Sequence, residues 1–474
     1  MPHRLLWLAI LAAMGGGTAH GAARFVDAPC AFTVPAGASI RCGWVTVPEN
    51  RRLAGGREIR LHVAVYKSAS AHPATDPIVW LVGGPGGRAH ATASILFDRV
   101  VKPFLGRRDF IVFDVRGTGY SEPALSCPEG SGDPAQWLTA CRDRLSVRAD
   151  LTCYNSAAVA ADLADLRTAL GYKEWNLLGE SYGTRLALTA MRDHPEGIRS
   201  VVLDSVSPPE TDDYADGPAK FDSALSALFS GCAANPSCNR RYPDLRSAVL
   251  RAADRLDVSP RRLAGVWHGT SYEFRLDGRQ LLEALRMALY ESDLIPDLPK
   301  AIYGAADGIA DSLWSEVIAR HTLFVFRRLV DNGAHLCFHC REEVPFTDRA
   351  RMLAEDRSRP WMRHAAAALS IVDACRVWLP QPADPREALP VTSRIPTLLL
   401  AGEYDPATPP TYARSAASHL AYGQLFVFPG MGHWLSANTA NACPQSLALD
   451  FLDRPDRRPS GTCAQRLDVR WTLE

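Results

Sequence analysis

Six short, uninterrupted apolar runs punctuate the chain, at residues 78–82, 110–113, 175–178, 201–203, 397–401 and 425–428, each ending in a turn that bears glycine or aspartate. Strands without polar alternation are buried on both faces, which predicts a mostly parallel sheet flanked by helices. Upstream, residues 58–66 alternate apolar and polar with period two. That pattern predicts a half-exposed strand, antiparallel to one around 44–47. Helical spacing fills the gaps; Leu163, Leu166 and Leu170 share one face of a helix ahead of the third run. The rhythm breaks between 208 and 390, a stretch that reads as mainly helical (279–290, for example) with proline-rich joints at 208–209 and 380–390. The expected architecture is an α/β core in two parts, 23–207 and 391–474, interrupted by an inserted helical cap at 208–390.

Composition narrows the class of function. Lysine plus arginine and aspartate plus glutamate number 52 each, so no net field draws in nucleic acid or an anionic membrane, and neither is an expected partner. A basic start at Arg4, an apolar run over 5–14 and small residues over 15–23 predict a secretory signal peptide over 1–22. Export to the periplasm or beyond the cell follows, with no membrane attachment once the signal is removed. Twelve cysteines in an exported chain predict disulfides rather than metal ligands. Cys30 and Cys42, Cys232 and Cys238, Cys337 and Cys340, and Cys443 and Cys463 lie close in sequence, but spacing leaves the connectivity open.

Gly179-Glu180-Ser181-Tyr182-Gly183 follows the third run and opens a helical stretch. A serine between glycines on a strand-to-helix turn is the nucleophile elbow of an α/β-hydrolase, so Ser181 is the candidate nucleophile. Such a serine needs a base and a group to orient it, arriving in the order serine, acid, histidine. Asp405 lies just past the run 397–401, with Glu403 as the lesser candidate, and His433 follows a Gly-Met-Gly turn after the run 425–428. The oxyanion hole calls for two N–H donors. Tyr182, at the helix start, supplies one; Gly84, in the loop Gly83-Gly84-Pro85-Gly86-Gly87, is the candidate for the other, with Gly83 next. Water would release the acyl-enzyme; no metal or cofactor is expected. Two readings of another kind stand beside this one: a carboxylic-ester or amide hydrolase with little peptidase activity, and a binding protein on a hydrolase scaffold.

With these motifs assembled, and with Cys42-Gly43-Trp44 and Asp114-Val115-Arg116-Gly117-Thr118-Gly119 added, the chain from about Cys42 to Cys463 resembles the secreted prolyl- and tripeptidyl-aminopeptidases. The resemblance implies hydrolysis at the free N-terminus of a peptide, beneath a helical cap, without metal. It implies that acidic cap residues hold the substrate's ammonium, a role that falls on Glu342 first and Glu343 second. It further implies a disulfide from Cys340 to Cys375, removing Cys340 from the crowded set His335, Cys337, His339, Cys340; Asp114 and Arg116, by their place at the end of the run 110–113, are expected to brace the site rather than do chemistry. Val82 and Tyr182 stand where prolyl-specific members carry histidine and tryptophan, which favours the tripeptidyl-type branch.

Overall fold

A computed structural model describes residues 23–473 except 128–132, 268, 310–311, 326–327, 362–370, 380 and 439–440. The predicted signal peptide, 1–22, lies outside the described residues. Strands β1 (Phe25–Asp27), β2 (Ile40–Pro48) and β3 (Glu58–Tyr66) form an antiparallel edge, with β2 and β3 in register from Ile40↔Tyr66 to Pro48↔Glu58. β4 (Ile78–Leu81), β5 (Phe110–Phe113), β6 (Trp175–Glu180), β7 (Ile198–Asp204), β10 (Thr397–Gly402) and β11 (Gly423–Phe428) are mutually parallel. All nine join one sheet in the order β1-β2-β3-β5-β4-β6-β7-β10-β11.

The uninterrupted apolar runs exist because the sheet is covered twice. Val79, Leu81, Ile111, Leu177, Leu203 and Leu399 turn into one core layer. Their neighbours Ile78, Trp80, Phe110, Leu178, Val202 and Leu398 turn into the other. Period-two alternation thus persists in space, with both faces apolar. The helix Ser156–Leu170 is set by its ends: the Asn155 side chain accepts from the Ala158 N–H, and Gly171 takes the left-handed conformation (φ 77°) that closes the last turn.

Between β7 and β10, which are paired neighbours, the chain leaves the sheet and first builds a second core, while its later helices Asn332–Glu342 and Ile371–Trp378 pack into the first core layer of the sheet. The helices Gly217–Ala234, Leu245–Val258, Gly278–Ala288 and Leu298–Asp307 bury Leu228, Val249, Leu285 and Ile302 against Trp314. This insertion is not wholly helical. A hairpin of β8 (Arg261–Trp267) and β9 (Thr270–Leu276) lies within it, half-exposed along most of its length.

Five disulfides staple the described residues: Cys30–Cys42, Cys127–Cys141, Cys232–Cys238, Cys340–Cys375 and Cys443–Cys463. Cys337 does not bond to its sequence neighbour Cys340; it is buried, and the Trp378 indole N–H points at its sulfur, 3.4 Å away. Among the described residues no helix is long and apolar enough to cross a membrane.

Candidate active site

Ser181 sits between β6 and the helix Tyr182–Asp193 with φ 55° and ψ −125°, a backbone state that costs an L residue strain. The flanking glycines are there because nothing larger fits. A Cβ on Gly179 would lie 2.6 Å from the Gly183 carbonyl oxygen, and one on Gly183 would lie 1.8 Å from that of Leu81. The strained turn presents the serine on the wall of a cavity of about 420 Å³, whose other walls include Gly84, Tyr182, Tyr214, Tyr290, Glu343 and Thr408.

Asp405 and His433 meet as the sequence order anticipates. His433 Nδ1 lies 2.7 Å from Asp405 Oδ2, and both side chains are buried. Asp405 also accepts from the N–H groups of Ala407 and Thr408 at 2.8 and 2.9 Å, and from the Thr408 hydroxyl at 2.7 Å. Burial disfavours its charge, but His433 and these donors outweigh burial and hold the carboxyl below its usual range. For His433 burial disfavours the imidazolium, yet Asp405 prevails and lifts the imidazole to about 9. Glu403, the lesser acid candidate, instead accepts from the Gly430 N–H.

The histidine loop is fastened on two sides, a feature that no sequence signal announced. On the sheet side the Asp204 carboxylate accepts from the N–H groups of Leu435 and Ser436, at 2.9 and 2.7 Å, and Ser205 Oγ from that of Trp434 at 2.8 Å. On the insertion side the His433 N–H donates to the Tyr290 carbonyl at 3.0 Å, and the Gly432 N–H to Ser292 Oγ at 3.0 Å. The Tyr290 ring centroid lies 4.9 Å from the imidazole.

Glu180, the variable residue before the serine, is also part of the site. It is buried, its Oε2 accepts from the Gly83 N–H at 2.9 Å, and its Oε1 lies 3.9 Å from His433 Nε2. Burial dominates and pushes its carboxyl up to about 7. Gly83 is therefore spent on Glu180, while Gly84 (φ 127°) lines the cavity beside Ser181. The Tyr182 N–H opens its helix, where no intrahelical acceptor exists for it.

The two acidic residues exchange ranks. Glu342 is buried behind the cavity, where Oε2 accepts from the Tyr182 hydroxyl at 2.5 Å and the Ser156 hydroxyl at 2.7 Å, and lies 3.3 Å from Arg185 Nε. With its lone pairs so committed, Glu342 anchors the residue after Ser181 rather than facing a ligand. Glu343 lies on the cavity wall, 2.9 Å from His339 Nδ1. Burial opposes its charge, but His339 and then Arg185 overcome it and hold the carboxyl down to about 2.

Asp114 and Arg116 stand off the cavity. Asp114 accepts from the N–H groups of His90 and Tyr120, and Arg116 clasps Asp162 through two contacts of 2.7 Å. In the histidine–cysteine cluster, Cys340 is consumed by its disulfide and His339 by Glu343 and Tyr214. Among the described residues no group of three His, Cys, Asp or Glu side chains is placed to hold a metal ion.

Comparison with known proteins follows the same lines. The model of the alpha/beta hydrolase fold matches residues 76–282, and that of a TAP-like protein matches residues 362–463. The chain thus has the α/β-hydrolase fold, with a TAP-like segment towards its carboxy-terminal end. Within that fold it is a serine hydrolase or peptidase. It is 25% identical to serine protease Hip1 of Mycobacterium tuberculosis over 479 residues, covering 90% of this chain and 87% of that one. It is 30% identical over 200 residues to the tripeptidyl aminopeptidase of Streptomyces coelicolor, 36% of each chain. It is 29% identical over 202 residues to a probable proline iminopeptidase of the same organism, 41% of this chain and 52% of that one.

Proposed function

We propose that the protein is an exported serine aminopeptidase that cleaves peptides from their free N-terminus, the insertion acting as a cap over the peptide. Ser181 is the nucleophile. His433 takes its proton as Ser181 attacks the scissile carbonyl, and Asp405 stabilises the imidazolium that results. The N–H groups of Tyr182 and Gly84 receive the oxyanion. His433 then protonates the departing amine, and water, deprotonated by His433, releases the acyl group. The core on either side of a cap at 208–390 supplies this machinery. Export is supported by the five disulfides, which suit an oxidising compartment, and by the signal-like segment 1–22.

The observation that carries the aminopeptidase reading is Glu343, an ionised carboxylate on the wall of the cavity that holds Ser181. A free ammonium gains a charge-assisted hydrogen bond there, and a blocked terminus leaves the carboxylate without that partner. The test compares a free-amine aminoacyl reporter with its N-acetylated twin. The free form is expected to be favoured by about a hundredfold in kcat/KM, from a charged hydrogen bond of roughly 1.5–3 kcal/mol, and Glu343→Gln is expected to erase most of that gap. Equal turnover of both forms would instead establish the ester or amide hydrolase.

The base makes a second expectation. His433 accepts a proton only when neutral, and Asp405 favours the protonated form up to about 9. kcat/KM is therefore expected to rise as pH climbs towards 9. Asp405→Asn removes the charge that lifts the imidazole, so the residual activity of that variant should have its rising limb at lower pH. A wild-type profile already flat from neutral pH upward contradicts this electrostatic picture.

A further inference from the structure

The cavity over Ser181 is lined by three lysine or arginine side chains, Lys220, Arg279 and Arg286. Two of them have carboxylate partners in the same wall. Lys220 Nζ is paired with Asp213, and Arg286 donates through Nε and Nη2 to Glu283 Oε2, at 3.1 and 2.9 Å. The remaining wall carboxylate, Glu343, is engaged with His339. Arg279 stands apart. It lies on the cavity face of the helix Gly278–Ala288, three to seven residues before Leu282, Glu283 and Arg286, and among the described residues no carboxylate is paired with it. It is half-buried.

A guanidinium partly withdrawn from water, with five donors in a planar fork, gains most from a carboxylate that meets it edge-on. The wall has no spare one to offer, so the fitting partner is one that arrives with the ligand. We propose that Arg279 is a specificity residue that receives a carboxylate carried by the substrate, so that the enzyme prefers peptides bearing an acidic group in addition to the free amine. The proposal rests on the aminopeptidase reading, since it takes this cavity as the peptide site. Glu343 and Arg279 then form an anionic and a cationic station on the same cavity, matched to a substrate with both charges. The carboxylate has two possible sources with the same chemistry: an aspartate or glutamate side chain, or the C-terminal carboxylate of a short peptide.

Steady-state kinetics on two matched sets of free-amine tetrapeptides separate the sources and test the proposal. One set exchanges Glu for Gln at each position in turn, with the C-terminus amidated; the other keeps a neutral sequence and compares the C-terminal acid with the amide. The wild-type enzyme is expected to favour the acidic member of one set by at least about tenfold in kcat/KM, chiefly through KM. Arg279→Gln should shrink that preference to within about twofold, the loss falling on the acidic peptides well beyond any effect on the neutral ones, because a lost charged hydrogen bond chiefly affects the ligand that made it. Arg279→Glu should reverse the preference towards lysine-containing peptides. Wild-type cleavage without acid preference in either set overturns the proposal and leaves the aminopeptidase reading intact. So does a preference that survives Arg279→Gln, or a loss that falls equally on acidic and neutral peptides and marks a structural role. Failure to cleave any free-amine peptide overturns both.

Discussion

Ser181→Ala is expected to lower turnover by roughly four to six orders of magnitude, because nucleophile, base and acid act as a unit and only binding and the oxyanion donors remain. The fold should scarcely notice. The strain of φ 55° and ψ −125° belongs to the turn and is the same for alanine, and Tyr182 stays anchored through Glu342. The thermal midpoint should therefore match the wild type, and the variant should still bind free-amine peptides. Hydrolysis retained above about a hundredth of the wild-type rate removes Ser181 from the mechanism.

Gly183→Ala attacks the same turn from the other direction. The added methyl would lie 1.8 Å from the Leu81 carbonyl oxygen and 2.6 Å from its carbon, and both are backbone atoms of β4. A flexible side chain could move aside; a paired strand cannot without breaking its ladder to β6, where Leu81 sits opposite Gly179. The expected cost is at the upper end of overpacking, about 3 kcal/mol or more. Because β4 runs directly into the Gly83–Gly87 loop, the strand's displacement also moves Gly84, the proposed oxyanion donor. Thermal denaturation and kcat should fall together. Gly106→Ala, whose methyl meets nothing within 4 Å, is the control that should change neither.

The parallel part of the sheet was legible because most of its strands are buried on both faces, so each appears as an apolar run that no surface helix imitates. The order Ser181, Asp405, His433 was legible for a related reason: each residue follows one of those runs, at the strand end where such sheets place their chemistry. What lay within the insertion was less so. The hairpin β8–β9 is carried by the alternation of Tyr272, Phe274 and Leu276, a weak signal amid helical neighbours because most of its residues remain half-exposed. The ranking of Glu342 and Glu343 could not be read at all. The two are adjacent at a helix end, about 100° apart around the axis, and which one faces the cavity is decided by Arg185, Ser156 and Tyr182, contributed from far away in the chain. The pairing of Cys340 likewise depends on the segment Ile371–Trp378 packing on its helix, a long-range event that spacing does not encode.

The double fastening ties the histidine loop to the insertion as well as to the sheet. Two of the five backbone N–H bonds that fasten the loop go to Tyr290 and Ser292, which belong to the insertion and not to the sheet. Gly432 packs so closely beneath Leu289 that a single methyl would strike its carbonyl oxygen at 2.2 Å, so the contact has little slack. Any outward swing of that part of the insertion would pull on the very backbone that sets the imidazole. The position of this part of the insertion and the setting of the imidazole are thus mechanically linked.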